Sequence, residues 1–179
     1  IWPANVHVIG KDIIRFHAIY WPAFLLAADI EPPKRIFAHG WWTNEGKKIS
    51  KSLGNVIDPN EIIKTYGIDT LRFFLLREVP FGNDGVFSKK SLQRRMNNDL
   101  ANDLGNLVQR VLTIINKNLD GKLSKIKQIK ENDKKMYAYP EELLKNIEKN
   151  YEKQEFHKVI ENIWKLISKA NKYVDESAP

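Results

Sequence analysis

Two short apolar runs, each closing on a glycine and separated by one helical stretch, constrain this chain more than any other feature. Val6-His7-Val8-Ile9 ends at Gly10, and Ile36-Phe37-Ala38 ends at His39-Gly40. Runs of this length and β-branched content read as buried strands. From Asp12 the pattern changes to a helical period, with Ile13, Phe16, Tyr20 and Phe24 on one face. Pro22 is expected to kink that helix or end it near Tyr20, and Pro32-Pro33 reads as a linker. A strand, a helix and a second strand at this spacing predict a parallel α/β layer. Ligands of such layers bind beyond the carboxyl ends of the strands. Gly10-Lys11-Asp12 and the segment after His39-Gly40 both fall there.

The second of those segments runs through Trp41-Trp42 into Lys48-Ile49-Ser50-Lys51-Ser52 and Gly54. Two lysines three residues apart suit a polyphosphate: each ammonium can meet phosphate oxygens, and Ser50 and Ser52 can donate hydrogen bonds without bulk. Gly54 lets the backbone turn. The same residues also suit a solvated lysine loop. Asp12, at a strand-to-helix junction, can accept hydrogen bonds from a ribose or cap a helix. Ile13, His17 and Trp21 recur every four residues and therefore line one helical surface, which serves equally as a core stripe or a pocket wall.

The rest of the chain reads as helical. Asp58-Pro59-Asn60-Glu61 has the residues of a helix start. That helix breaks at Gly67, and a second, from near Asp69, carries Leu71, Phe74 and Leu75. Pro80 to Gly85 reads as a loop. A long helix is expected from about Ser88 to about Asn118, stopped by Asp120-Gly121. Residues 122–139, rich in lysine, read as an exposed connector, with RNA gripping as the alternative. Two helices follow, about 140–151 and 154–176, the last with Phe156, Ile160, Ile163 and Ile167 as its core stripe. These elements together predict an α-helical bundle. Asn106 and Arg110, four apart, share a helix face.

Composition narrows the class. The 179 residues carry a formal charge of +7, which suits a polyanionic partner. There is no cysteine, which removes disulfides and thiolate metal sites from this segment. The most apolar run, Ala18 to Ala28, is too short for a membrane span and is broken by Pro22. Nothing at Ile1 resembles a signal peptide.

Lys48-Ile49-Ser50-Lys51-Ser52 with Gly54-Asn55 resembles the second signature of class I aminoacyl-tRNA synthetases, KMSKS, with Ile49 where methionine is usual. Further segments resemble the methionine branch of that family. They are Gly10-Lys11-Asp12-Ile13, Phe16-His17, Tyr20-Trp21-Pro22-Ala23-Phe24-Leu25, His39-Gly40, Asp84-Gly85, Phe87-Ser88, Asn98-Asp99-Leu100-Ala101, and Leu104-Gly105-Asn106-Leu107 through Arg110. The resemblance is strong over residues 1 to about 119 and looser over 140–179. The first signature, HIGH, is not in the sequence, and Ile1-Trp2-Pro3 opens as if in mid-domain. The expectation is a C-terminal part of a longer enzyme, inactive without its HIGH half.

The resemblance implies an α/β part followed by an all-α part. Residues 1–57 would be the second half of a Rossmann-like catalytic domain, 58–90 a region contacting the tRNA stem through Lys64 and Arg72, and 91–179 a helical anticodon-binding domain. The implied activity is methionine–tRNA ligation: methionine is activated with ATP and Mg2+ to methionyl-adenylate, then transferred to tRNA(Met), in the cytoplasm. Lys48 and Lys51 would neutralise the pyrophosphate, Ser50 and Ser52 assisting. Gly10 and Asp12 would hold the ribose, with His39 and Trp42 near the adenine. Ile13, His17 and Trp21 would line the methionine pocket, and Asn106 and Arg110 would read the anticodon. The family's zinc lies in an insertion upstream, so no metal is expected here. A stacking tryptophan of the anticodon site would follow Asn171-Lys172-Tyr173 and Ala178-Pro179, just after the last residue; Trp164 reads instead as core. The valine, isoleucine, leucine and cysteine enzymes share the lysine loop and are the alternative, opposed by His17, Trp21-Pro22 and the Asn106–Arg110 helix. A non-catalytic tRNA-binding module is the other. Nothing in the sequence fixes an oligomeric state.

Overall fold

The computed structural model describes residues 2–123, 125 and 128–177. Ile1 and the Ala178-Pro179 end of the anticodon pattern lie outside them. The chain forms two compact units, Ile1–Pro59 with Val79–Ser88, and Asn60–Glu78 with Lys89–Pro179. The segment 58–90, read from sequence as one connecting region, is therefore divided: its helices join the helical unit and its end returns to the first unit.

In the first unit, strand β1 (His7–Gly10) pairs in parallel with β2 (Ile36–His39), Gly10 opposite His39. The carboxyl ends of both strands therefore open at one edge. Ile9 and Leu25 are buried beneath this layer. The crossover is not one uniform α-helix. A 3₁₀ turn (Lys11–Ile13) leads into a π-turn (Phe16–Tyr20) and then helix α1 (Trp21–Ala27), which contains Pro22. Proline has no N–H and its ring crowds the carbonyl four residues back. The wider π-turn relieves both, and the Trp21 amide donates to Phe16 O instead. Helical winding thus continues past Pro22 rather than ending near Tyr20.

A second, small sheet was not foreseen. Strands β3 (Trp42–Asn44) and β4 (Lys47–Lys48) form a hairpin, and β5 (Gly85–Phe87) adds to β3 in parallel, Trp42 opposite Gly85. Glu45 and Gly46 turn the hairpin with φ of 48° and 78°, the left-handed pair that tight hairpins require. Gly40 and Gly85 make the close approaches. A Cβ on Gly40 would lie 2.3 Å from the Asn83 backbone, and one on Gly85 2.9 Å from the Trp42 ring.

The second unit is all helix: α2 (Pro59–Tyr66), α3 (Ile68–Arg77), α4 (Lys89–Arg95), α5 (Asn106–Leu119), α6 (Glu131–Glu152) and α7 (Phe156–Ser177). A π-wound stretch, Met96–Gly105, joins α4 to α5, so the expected long helix is continuous but not α throughout. Asp120, in the left-handed region, ends it as anticipated. Phe74 and Leu92 are fully buried at the centre. Around them, Glu78 receives Arg94 and Arg95 at 3.0 and 2.5 Å, and Arg77 reaches Glu161 at 3.0 Å.

Two expectations are corrected here. α6 begins at Glu131, inside the predicted connector, because the Asp133 carboxylate accepts the Lys130 amide at 2.8 Å and caps it; Pro140 lies within this helix. On α7 the buried face runs through Val159, Asn162 and Ile167, whereas Ile163 is exposed. Asn162 can occupy that face because its amide donates to Asn150 and its carbonyl accepts from Lys165.

Candidate functional site

In the first unit, the two strand ends converge with the turn that follows β2. Gly10 has an ordinary extended φ of −72°; its lack of a side chain serves space, not conformation. The Asp12 carboxylate folds back over it, its Oδ1 2.5 Å from where a Cβ would stand. The Trp41 indole N–H donates to that same oxygen at 3.3 Å. His39, at the end of β2, donates from Nδ1 to Gly40 O at 2.9 Å, since a carbonyl can only accept. This leaves Nε2 free, while the ring stacks toward Phe81 with centroids 6.0 Å apart and a 28° tilt.

Trp41 is the hub of this edge. The Lys11 ammonium sits 4.5 Å from its ring centroid and the Lys48 ammonium 5.9 Å, both within range of a cation–π attraction. Lys11 also grips Asp84 at 2.6 and 2.7 Å, and Asp84 accepts the Trp41 amide at 2.9 Å. The Lys11 ammonium and then the Trp41 N–H hold the Asp84 carboxyl below its ordinary range. Trp42, on the opposite side of the alternating strand, packs on Gly85 instead.

Lys48 ends β4, and the rest of the lysine segment is a folded turn rather than a free loop. Leu53 N donates to Ser50 O and Gly54 N to Lys51 O, with Gly54 at a φ of 62°. The Ser50 and Ser52 hydroxyls share a 2.7 Å hydrogen bond. The Asn55 side chain spans the turn, accepting from Ser50 N at 2.9 Å and donating to Lys48 O at 3.0 Å. Among the described residues neither Lys48 nor Lys51 is paired with a carboxylate. Two ammonium groups without a carboxylate partner, on a hydrogen-bonded turn beside an aromatic face and an aspartate at a strand end, can hold a nucleotide polyphosphate.

The third group lines a cavity of about 880 Å³ bounded by His7, Val8, Phe16, His17, Trp21 and Phe24. His17 and Trp21 share its wall. Ile13 contributes its carbonyl, which accepts from His17 Nδ1 at 3.1 Å and turns Nε2 outward; its side chain is not part of the lining. Aromatic edges with one directional nitrogen suit a small, largely apolar ligand.

The fourth group belongs to the helical unit. Asn106 and Arg110 lie on α5 and line a polar cavity of about 500 Å³ with Asn102, Asn171, Lys172 and Asp175 of the same unit. Arg110 pairs with Asp175, and Asn171 donates to Asp103 O at 3.1 Å. Hydrogen-bonding groups around a guanidinium suit an unstacked base. Among the described residues no group of three or more histidines or carboxylates could hold a metal ion, and no helix is long and apolar enough to cross a membrane.

Sequence reasoning singled out neither Trp41, Lys11 and Asp84 as site residues nor Asn55 and Asp175. The tryptophan doublet was the available signal: in a strand, one of two neighbours must face away from the other. Asp84 and Asp175 reach their lysine and arginine partners across 73 and 65 residues, a separation no local pattern reports.

The family model for tRNA synthetases class I (M) matches residues 2–112. The chain is 51% identical over 178 residues to a methionine–tRNA ligase of Caldanaerobacter subterraneus, covering 99% of this chain and 28% of that protein. It is also 51% identical over 179 residues to the methionine–tRNA ligase of Bacillus subtilis, covering 99% and 27%. Among solved structures, Mycobacterium tuberculosis methionyl-tRNA synthetase in complex with methionyl-adenylate superposes with a TM-score of 0.94 at 49% identity, over 99% of this chain and 35% of that one. The chain thus spans about a third or less of the length of these relatives.

Proposed function

We propose that this chain, which belongs to the class I tRNA synthetases (M), is the segment of a methionine–tRNA ligase that carries its ATP-handling turn and its anticodon-reading helices. The observation that carries this reading is the convergence, at the ends of two parallel strands, of Asp12 and Trp41 with the Lys48 ammonium.

In this reading the parent enzyme joins the methionine carboxylate to the α-phosphate of magnesium-bound ATP. Pyrophosphate leaves, and the acyl group passes to the 3′ end of tRNA(Met). Positioning and charge neutralisation dominate such an in-line displacement. Lys48 and Lys51 neutralise the leaving pyrophosphate, with Ser50 and Ser52 donating to its oxygens. Asp12, given room by Gly10, accepts from the ribose hydroxyls. His39 borders the adenine together with Trp41, while Trp42, packed on Gly85, supports this edge from its other side. The Ile13, His17 and Trp21 segment receives the methionine side chain, and Asn106 and Arg110 read bases of the anticodon. Residues 1–57, with 79–88 returning to them, are then the second half of a Rossmann-like catalytic domain, the helices within 58–90 the link toward the tRNA stem, and 91–179 the anticodon-binding domain of a cytoplasmic enzyme.

The test is amino-acid-dependent ATP–pyrophosphate exchange by the full-length parent protein across all twenty amino acids. Exchange with methionine alone is expected. Exchange with valine, isoleucine, leucine or cysteine would keep the phosphate chemistry and overturn the pocket and anticodon assignments. No exchange from folded protein would overturn the enzymatic reading in favour of an RNA-binding module.

A further inference from the structure

Asn55 occupies an unusual place in the lysine turn. Its amide oxygen accepts the Ser50 N–H at 2.9 Å and its amide nitrogen donates to Lys48 O at 3.0 Å. Both partners are backbone groups of fixed polarity, so the orientation of this amide is unambiguous. The residue is itself anchored, because Asn44 Nδ2 donates to its carbonyl at 2.8 Å from the far side of the hairpin. The side chain thus does what a neighbouring strand would do: it continues the β-type pairing of β4 for two residues beyond Lys48. Between its two contacts lies Ile49, and immediately after them Lys51. The carbonyls of Ser50 and Lys51 then accept the return bonds from Leu53 and Gly54.

We infer that Asn55 is the positioning residue of the phosphate-binding turn, setting the spacing and direction of the Lys48 and Lys51 ammonium groups without touching the nucleotide. This rests on the function proposed above. Lysine stems carry much rotamer freedom, so a cationic turn aimed at a charge that develops only in the transition state depends on a backbone that is already fixed. The Asn55 amide holds the backbone on both sides of Ile49, and the Ser50–Ser52 hydroxyl pair bridges the next step across Lys51. Its contacts are confined to the hairpin and turn, so removing them should leave the buried core untouched.

The experiment uses the full-length parent protein and measures ATP–pyrophosphate exchange for wild type, Asn55→Ala, Asn55→Asp, Lys51→Ala and the Asn55→Ala/Lys51→Ala double variant, each with its thermal melting curve. Asn55→Ala is expected to lower kcat between about tenfold and a hundredfold, the scale of a misplaced catalytic group, with the KM for methionine unchanged. Asn55→Asp keeps the acceptor for Ser50 but sets an oxygen against Lys48 O, and is expected to fall as far. In the Lys51→Ala background, loss of Asn55 should cost clearly less than in the wild type, with only the misplacement of Lys48 remaining, because residues acting as one unit are not additive. Wild-type kcat in both Asn55 variants, or full additivity with Lys51→Ala, would overturn the inference. So would an equal loss in kcat and methionine affinity accompanied by a lowered melting temperature, which is the mark of a merely structural residue. If wild type itself exchanges with no amino acid, the functional reading falls and this inference with it; normal wild-type exchange beside unaffected Asn55 variants sinks the inference alone.

Discussion

Replacing Gly10 by alanine tests the strand-end geometry at a single atom. The glycine's φ of −72° is available to any residue, so alanine brings no backbone strain and no cost from the left-handed region. Its Cβ would, however, stand 2.5 Å from Asp12 Oδ1, closer than the 3.0 Å below which real contacts essentially never fall. The obstacle is the end of a rotatable side chain, so the carboxylate swings aside by about 0.9 Å or more, from 2.5 Å to the 3.4 Å at which ordinary contact begins. Its hydrogen bond from Trp41, already 3.3 Å long, breaks. Folding should be little affected, since the shift is confined to the exposed Asp12 side chain. Ribose binding should suffer, because a hydrogen bond to a charged group is worth about 1.5–3 kcal/mol, or about ten- to a hundredfold. Pyrophosphate exchange by the full-length Gly10→Ala protein should therefore show a KM for ATP raised by about that factor, with a normal KM for methionine and a normal melting temperature. An unchanged KM for ATP would refute the placement of Asp12 against the ribose. A parallel rise in both constants with reduced melting temperature would refute the claim that the glycine serves space alone.

Lys51→Ala should lower the rate of adenylate formation by about a hundredfold or more, the cost of one aimed donor, in single-turnover measurements; a loss under about tenfold with normal methionine affinity would count against it. His17→Ala should raise the KM for methionine more than that for ATP in the exchange assay, whereas equal rises would indicate misfolding. Arg110→Ala should weaken aminoacylation of tRNA(Met) by about 1–3 kcal/mol in kcat/KM and leave pyrophosphate exchange untouched, so a matching loss in exchange would argue against a role confined to RNA.

The parallel layer was legible because its cause is local. Apolar runs that end in glycine, with a helical period between them, leave few arrangements, and the β1–β2 register delivers Gly10 and His39 side by side. The helix stop at Asp120 was legible for the same reason. What escaped the sequence depends on partners distant in the chain or on a changed winding. β5 is only three residues long and pairs with a strand more than forty residues earlier, so no periodicity marks it. The π-wound stretches at Phe16–Tyr20 and Met96–Gly105 shift the angular phase of everything after them, so a helical wheel drawn at a uniform 3.6 residues per turn loses track of which face follows. The lysine turn was recognised by its resemblance to a family signature, since its composition suits a solvated loop equally well; its folded geometry was not legible, because the Asn55 amide that spans it bonds backbone atoms.

The first unit is interrupted in sequence, and this has a consequence for how the protein is made. β3 and its hairpin partner β4 leave the ribosome together, yet the far side of β3 is completed only by Gly85–Phe87. About forty residues separate Lys48 from Ser88, roughly two to eight seconds of translation at ordinary rates. Over that interval the nascent hairpin carries an unpaired edge, and the Lys11–Asp84 contact that steadies Trp41 has no second half. The helices between them must be synthesised before this edge can close. Assembly of the first unit is thus timed by the emergence of a segment belonging to the second.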